Sequence, residues 1–232
     1  MKIELLDQPN ECVHCQKKFM SSRTLFSHMC ERKRRALQKD EKRVQAGLMA
    51  FNRFWQLTQN AKKLKKYDEF ADSSYYNAFV KFGSFVNNVN PLYPDKFIDF
   101  VIKSGVKLDH WCRDELYEQY LFEMLKVEPV ENAVQRTLQT MIEWGDEHNE
   151  KFAHYFDHVS LNKAVHDILN GRISCWVILN STSGKSMISK MSDEQLAMIA
   201  PAFDIHYWLK KFKEVPADVA LVKEIFQETG IK

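Results

Sequence analysis

The sequence is poor in residues that turn a chain. Seven glycines and six prolines in 232 residues are too few to punctuate the many short strands of an all-β fold. No stretch approaches the apolar length of a membrane span, so no membrane partner is expected. The opening residues, Met1-Lys-Ile-Glu-Leu-Leu-Asp7, lack a signal peptide's apolar core, which points to a cytoplasmic, reducing setting. Cysteine is sparse in keeping with that setting. Three of the five fall within residues 12–30, and Cys112 and Cys175 stand alone in apolar surroundings, as buried free thiols do. There is no low-complexity segment and no internal repeat. What remains is a mainly α chain, long enough for one sizeable core plus a small module, or for two small domains.

Acidic residues are scarce at one end only. Residues 1–66 carry sixteen Lys/Arg against six Asp/Glu, a net charge of about +10, so the overall +2 leaves about −8 on the remainder. A basic arm on an acidic body suits a protein that touches nucleic acid with one end.

The chemically specific stretch lies in that arm. It reads Cys12-x2-Cys15, three residues, Phe19, five residues, Leu25, two residues, His28. Two thiolates on a hairpin and an imidazole on the following helix can meet at one tetrahedral Zn²⁺, while Phe19 and Leu25 supply a minimal apolar core. So short a unit buries too little surface to fold alone, and metal binding supplies its folding free energy. The stretch resembles the classical ββα zinc-finger family over roughly residues 12–35. That family typically binds DNA or RNA, and some members bind proteins.

The match departs at the last ligand. The family expects a second histidine or a cysteine several residues past His28, where Glu31, Arg32, Lys33, Arg34 and Arg35 stand. The nearest soft donor is Cys30, and residues i and i+2 face different sides of a continuous helix. Cys30 therefore completes the set only if the helix is tightened or distorted after His28. His14 is the alternative, and the metal set is taken as Cys12, Cys15, His28 and Cys30.

Along the chain, residues 1–11 form a lead-in with a turn at Pro9-Asn10. Ser21 or Ser22 caps the finger helix. That helix runs on, or resumes after a short break, into a long basic helix, because no turn signal but Gly47 separates Ser22 from Lys66. Leu37, Val44, Leu48, Phe51, Trp55 and Leu64 lie at helical intervals along it, and Phe54 widens the stripe. The expected layout is a finger over residues 1–35, a basic linking helix over 36–70 and an all-helical domain over 71–232. Within the last, helices are expected over 75–89, from Pro94, from Asp109 as a cap, after Glu128-Pro129, between His148 and Leu169 with a cap at Ser160, and from Ser192. Cys175-Trp-Val-Ile-Leu179 carries the one strand-like signal; with no partner strand, an apolar helix is equally open.

Other constellations carry less. Asn180-Ser-Thr-Ser-Gly184-Lys185-Ser186 looks like the end of a phosphate loop, but Leu179 occupies a position that demands glycine, so a polar turn is the reading. His154 and His158 share a helical face, yet Tyr155 stands where a zinc protease needs glutamate, and partly exposed histidines are the expectation. With no triad, carboxylate pair or phosphate loop, no enzyme is expected.

The basic run Arg32-Lys33-Arg34-Arg35, with Lys39, Lys42 and Arg43 beyond it and Lys17, Lys18 and Arg23 on the finger, forms the candidate phosphate-contacting surface. Lys62-Lys-Leu-Lys-Lys66 adds a second cluster. The closing stretch, Asn170-Gly-Arg-Ile-Ser-Cys-Trp-Val-Ile-Leu-Asn180 to Tyr207-Trp208, resembles uncharacterised proteins of large tailed bacteriophages of the T4 type. That resemblance implies a role in the host cytoplasm during infection and attaches no activity. The function expected is that of a zinc-finger nucleic-acid-binding accessory or regulatory protein. The alternative is an adaptor docking on an acidic protein of the transcription, replication or ribosomal machinery.

Overall fold

A computed structural model describes residues 10–232, so the lead-in and its turn at Pro9 lie outside the described residues save for Asn10 and Glu11. Among the described residues the fold is mainly α, with no strand beyond an isolated antiparallel bridge between Glu11 and Lys18. Two compact units divide the chain. One runs through Asn88 and takes in Ile102–Cys112; the other comprises Val89–Val101 and Arg113–Lys232.

In the first unit Ser21 caps α1 (Ser22–Ser27), its Oγ accepting the Thr24 amide at 3.3 Å. The helix then stops, resumes as α2 (Glu31–Leu37), and stops again before α3 (Lys42–Gln59). A short break after the finger helix was one of the two arrangements expected; the second break was not. Leu37 is 69% exposed, whereas Val44 is fully buried, so the apolar stripe that anchors α3 begins only after the second break. At its far end α3 stops at Asn60, which takes the left-handed conformation (φ 52°) that favours a helix C-terminus. Leu64 consequently lies in a loop, 60% exposed, rather than on the stripe.

α4 (Tyr67–Ala71) and α5 (Tyr76–Val89) complete the helices of this unit. α3 and α5 cross backbone to backbone: a Cβ on Gly83 would lie 2.1 Å from the Arg43 carbonyl oxygen, and one on Gly47 would lie 2.8 Å from that of Phe79. Only glycine permits so close a crossing. Around it Phe51, Phe70, Phe79, Phe82 and Trp111 pack largely edge to face, with ring centroids 5.1–5.7 Å apart where they touch. Trp111 follows a 3-10 turn (Leu108–His110), and its indole N–H donates to the Val106 carbonyl at 2.9 Å. Asp109 sits inside that turn and caps no helix, a correction to its expected role.

The second unit is built from α6 (Pro94–Lys103), less its last two residues, α7 (Asp114–Val127), α8 (Val130–His148), α9 (Tyr155–His158) and α10 (Leu161–Leu169), then α11 (Cys175–Asn180), α12 (Thr182–Ser189), α13 (Asp193–Ile199), α14 (Ile205–Glu214) and α15 (Pro216–Thr229). Ser160 caps α10 as expected. α11 is the strand-like segment, and it is helical. Cys175 through Leu179 are all buried, packed among α8, α12 and α15, so the run shows no face that would reveal its period. Ser181 caps α12, placing Gly184-Lys185-Ser186 on a helix rather than in a polar turn.

Two buried carboxylates in this unit are paired, whereas the Tyr117 hydroxyl and the Trp176 and Trp208 indole N–H groups are buried without a hydrogen-bond partner. Glu128 accepts from the Arg136 guanidinium through both carboxylate oxygens and from the Tyr93 hydroxyl at 2.9 Å, while Arg136 Nε donates to the Gly171 carbonyl at 2.7 Å. Asp167, wholly buried, accepts from Lys163 Nζ at 2.6 Å and the Tyr155 hydroxyl at 2.8 Å. No helix among the described residues is long and apolar enough to cross a membrane.

Candidate metal centre

The Cys12–Cys15 knuckle is closed by its backbone. The Cys12 amide donates to the Lys17 carbonyl at 2.9 Å, the Gln16 amide to the Cys12 carbonyl at 2.7 Å, and the Phe19 amide to the Asn10 carbonyl at 2.7 Å. Gln16 takes φ 60° to make the turn. On the other side, α1 ends at Ser27 and the chain extends through His28 (ψ 123°) to Cys30 (ψ 163°) before α2 begins. That extension answers the difficulty with the last ligand. Residues i and i+2 diverge on a helix but lie on the same side of extended chain, so His28 and Cys30 can face one point. The His28 ring leans on Phe19 with centroids 4.6 Å apart, and its carbonyl accepts Lys33 Nζ at 3.1 Å. Cys30 is the N-cap of α2, its Sγ accepting the Lys33 amide at 3.4 Å.

The four donor atoms of Cys12, Cys15, His28 and Cys30 all lie within 4.8 Å of one another. Cys12 Sγ and Cys30 Sγ are 3.9 Å apart, and Cys15 Sγ and His28 Nε2 are 3.3 Å apart. A tetrahedral ion with metal–sulfur bonds of about 2.3 Å and metal–nitrogen bonds of about 2.0 Å spans edges of about 3.8 and 3.5 Å. The residues present fit such an ion. His14 stands in the knuckle outside this set.

Cys12 is buried, which opposes its charged form, but the amides of Cys15 and His14 and the thiols of Cys15 and Cys30 donate to it and carry its pKa below the ordinary thiol value. Elsewhere, burial pushes the Cys112 and Cys175 thiols up. Cys175 is the buried thiol expected, whereas Cys112 is only half-buried.

The basic surface is more entangled than its sequence suggests. Arg32 pairs with Asp72 at 3.2 Å, Arg34 and Arg35 both with Glu31, and Arg43 with Glu41 at 2.6 Å. Arg35 also donates to the Ala71 carbonyl and stacks 4.2 Å over the Tyr76 ring, while the Tyr67 hydroxyl donates to its carbonyl. It ties α2 to α4 and α5. Lys33 turns back to His28, and Lys39 lies over Tyr67. Lys17, Lys18, Arg23 and Lys42 are exposed, with Lys17 also 5.7 Å over the Phe19 ring.

Sequence reasoning missed two features. The finger leaves Val13, Met20 and Phe26 at 89%, 100% and 87% exposure, and Val13 and Phe26 border one cleft with His14 and Leu25. These residues fall between the pattern's fixed positions, which is the signal that was available. Second, His154 and His158 come together with Glu150. Comparisons with family profiles, characterised proteins and solved structures find no match.

Proposed function

We propose that this chain is a zinc-dependent adaptor, whose finger docks on a protein surface that is apolar at its centre and acidic at its rim. Three thiolates and an imidazole form a soft donor set suited to Zn²⁺ and unsuited to magnesium or calcium. All five cysteines carry free thiols, consistent with a reducing, cytoplasmic setting in which the ligands stay available.

The observation that carries the docking reading is the exposure of Val13 and Phe26, which line one cleft, on a module with almost no apolar residues to spare. Large apolar side chains clustered on so small a surface mark a contact with another apolar surface. Lys17, Lys18 and Arg23 are exposed on the same module, and their positive charge favours an acidic rim on the partner and speeds encounter. The reading is of a binding protein, not an enzyme.

Nucleic acid is the second reading, favoured by the same three exposed cations and by the net positive charge of the arm. It is weakened by the carboxylates already paired with Arg32, Arg34, Arg35 and Arg43. Tagged full-length protein, recovered from cells with and without nuclease, separates the two. Capture that survives nuclease and is lost in Val13→Ser/Phe26→Ser supports the adaptor. Capture that vanishes with nuclease and with Lys17→Ala/Lys18→Ala/Arg23→Ala, yet survives the apolar substitutions, supports the nucleic-acid reading.

A further inference from the structure

A second set of ligating side chains lies in the other unit, within nine residues of chain. We propose that Glu150, His154 and His158 bind a divalent transition-metal ion of the zinc class, through two imidazoles and one carboxylate.

The segment is built to bring these side chains together. α8 ends at Asn149 in the left-handed conformation, and the Glu150 amide returns to the Gly145 carbonyl at 2.9 Å. A Cβ on Gly145 would lie 2.7 Å from the Glu150 carbonyl oxygen and 3.2 Å from the Phe152 amide nitrogen. Glycine there allows residues 150–152 to fold tightly back over the helix. A 3-10 turn (Phe152–His154) then leads into α9, and Tyr155 and Phe156 anchor both in the core at 0% and 2% exposure. With its anchors buried, the segment presents His154 and His158 outward on a fixed backbone, their rings 5.5 Å apart.

The distances suit a shared ion better than a direct pairing. His154 Nδ1 lies 3.7 Å and His158 Nδ1 3.4 Å from separate oxygens of Glu150. Nitrogen–oxygen hydrogen bonds fall at about 2.7–3.2 Å, whereas two ligands at about 2.0–2.1 Å from a tetrahedral ion are about 3.4 Å apart. All three donor atoms lie within 4.8 Å of one another. Both histidines turn the same nitrogen to the carboxylate, as they would to a common ligand. Three protein ligands leave at least one coordination position to water. The site is therefore open and exposed, and its ion exchanges faster than the one held by cysteines.

Metal-free full-length protein titrated with Co²⁺ tests the assignment, because only thiolate ligation gives sulfur-to-cobalt charge transfer. Wild type should bind about two ions per chain, one with that band and one without. Cys12→Ser/Cys15→Ser should lose the ion that carries the band, and His154→Ala/His158→Ala the other. Glu150→Gln should weaken the thiolate-free site at least about tenfold. The two histidines are exposed, so their variants should keep the wild-type helical circular dichroism. Independently, Zn²⁺ added to protein already holding one zinc should shift the ring C–H resonances of His154 and His158 and leave those of His110 and His206 in place. Two ions retained by His154→Ala/His158→Ala, or a wild type that binds only the thiolate-linked ion, would overturn the proposal. Neither result touches the docking function of the finger.

Discussion

The finger and the second unit solve the same problem by opposite means. Between Asn10 and Leu37 the one buried residue is Cys12, and Val13, Met20, Phe26, Met29 and Leu37 face solvent. The second unit instead closes around α11, with Trp176, Val177 and Ile178 at 1% exposure or less. Where a core exists, apolar side chains are consumed in making it. Where four donor atoms lie close enough to hold a metal ion, apolar side chains stay exposed on the surface. A metal-held module can therefore be small and still carry a hydrophobic docking surface, which a core-held module of that length could not spare.

The sharpest way to break this contrast is to remove the metal. Chelation, or Cys12→Ser, should unfold residues 10–30 while the second unit keeps its helicity, since structural zinc in isolated fingers supplies on the order of 10–16 kcal/mol. Limited proteolysis with circular dichroism would show cleavage confined to the finger; collapse of the whole helical signal would refute the division of labour. Within the same comparison, Cys30→Ala should lower zinc affinity nearly as much as His28→Ala, and Cys112→Ala should leave it unchanged.

The reciprocal experiment strikes the second unit. Arg136→Ala strands the buried Glu128 carboxylate (3% side-chain exposure) and frees the Gly171 carbonyl. Removing one partner of a buried ion pair costs about 3–5 kcal/mol. Denaturant melts should record that loss while bound zinc stays constant. A stoichiometric loss of zinc in this variant would mean that the finger depends on the core after all.

Much of the metal site was legible because ligand spacing is a local property. Cys12, Cys15, Phe19, Leu25 and His28 can be read off within a few residues, and even Cys30 could be nominated against the helix geometry that seemed to forbid it. What could not be read was the extended link from His28 to Cys30, since nothing in Ser27-His28-Met29 marks a helix end. α11 was illegible for a different reason: burial on every side erases the periodicity that separates helix from strand. The helix stops at Asn60 and Asn149 were visible in principle, because asparagine tolerates the left-handed conformation, but polar residues in a charged stretch do not stand out. Glu150 stands four residues before His154, a spacing the sequence does show, but it lies outside α9, and its approach to both histidines follows a tight reversal at Gly145 that the sequence does not mark. The charges of Arg32–Arg35 were plain, and Glu31 stands at helical spacing from Arg34 and Arg35, but the partner of Arg32 was not legible, since Asp72 is forty residues away.

The smallest expected effects lie in that basic run, and they sharpen the contrast by dividing anchors from surface. Arg35 has 15% of its side chain exposed and reaches Glu31, the Ala71 carbonyl and the Tyr76 ring, whereas Arg32 and Asp72 are 59% and 58% exposed. Exposed ion pairs contribute about 0–1 kcal/mol because water and salt screen them and two long side chains must be ordered. Arg32→Ala should therefore shift the melting of the first unit by less than about 1 kcal/mol, and Arg35→Ala by distinctly more, through lost packing as well as charge. Binding supplies the decisive readout. If the partner is a protein held at Val13 and Phe26, Arg32→Ala leaves affinity nearly unchanged. If the partner is nucleic acid, the variant loses a phosphate contact and flattens the slope of log affinity against log salt by about 0.7–0.9. A flattened slope in Arg32→Ala, with melting unchanged, would move the function from the finger's apolar cleft to its charge.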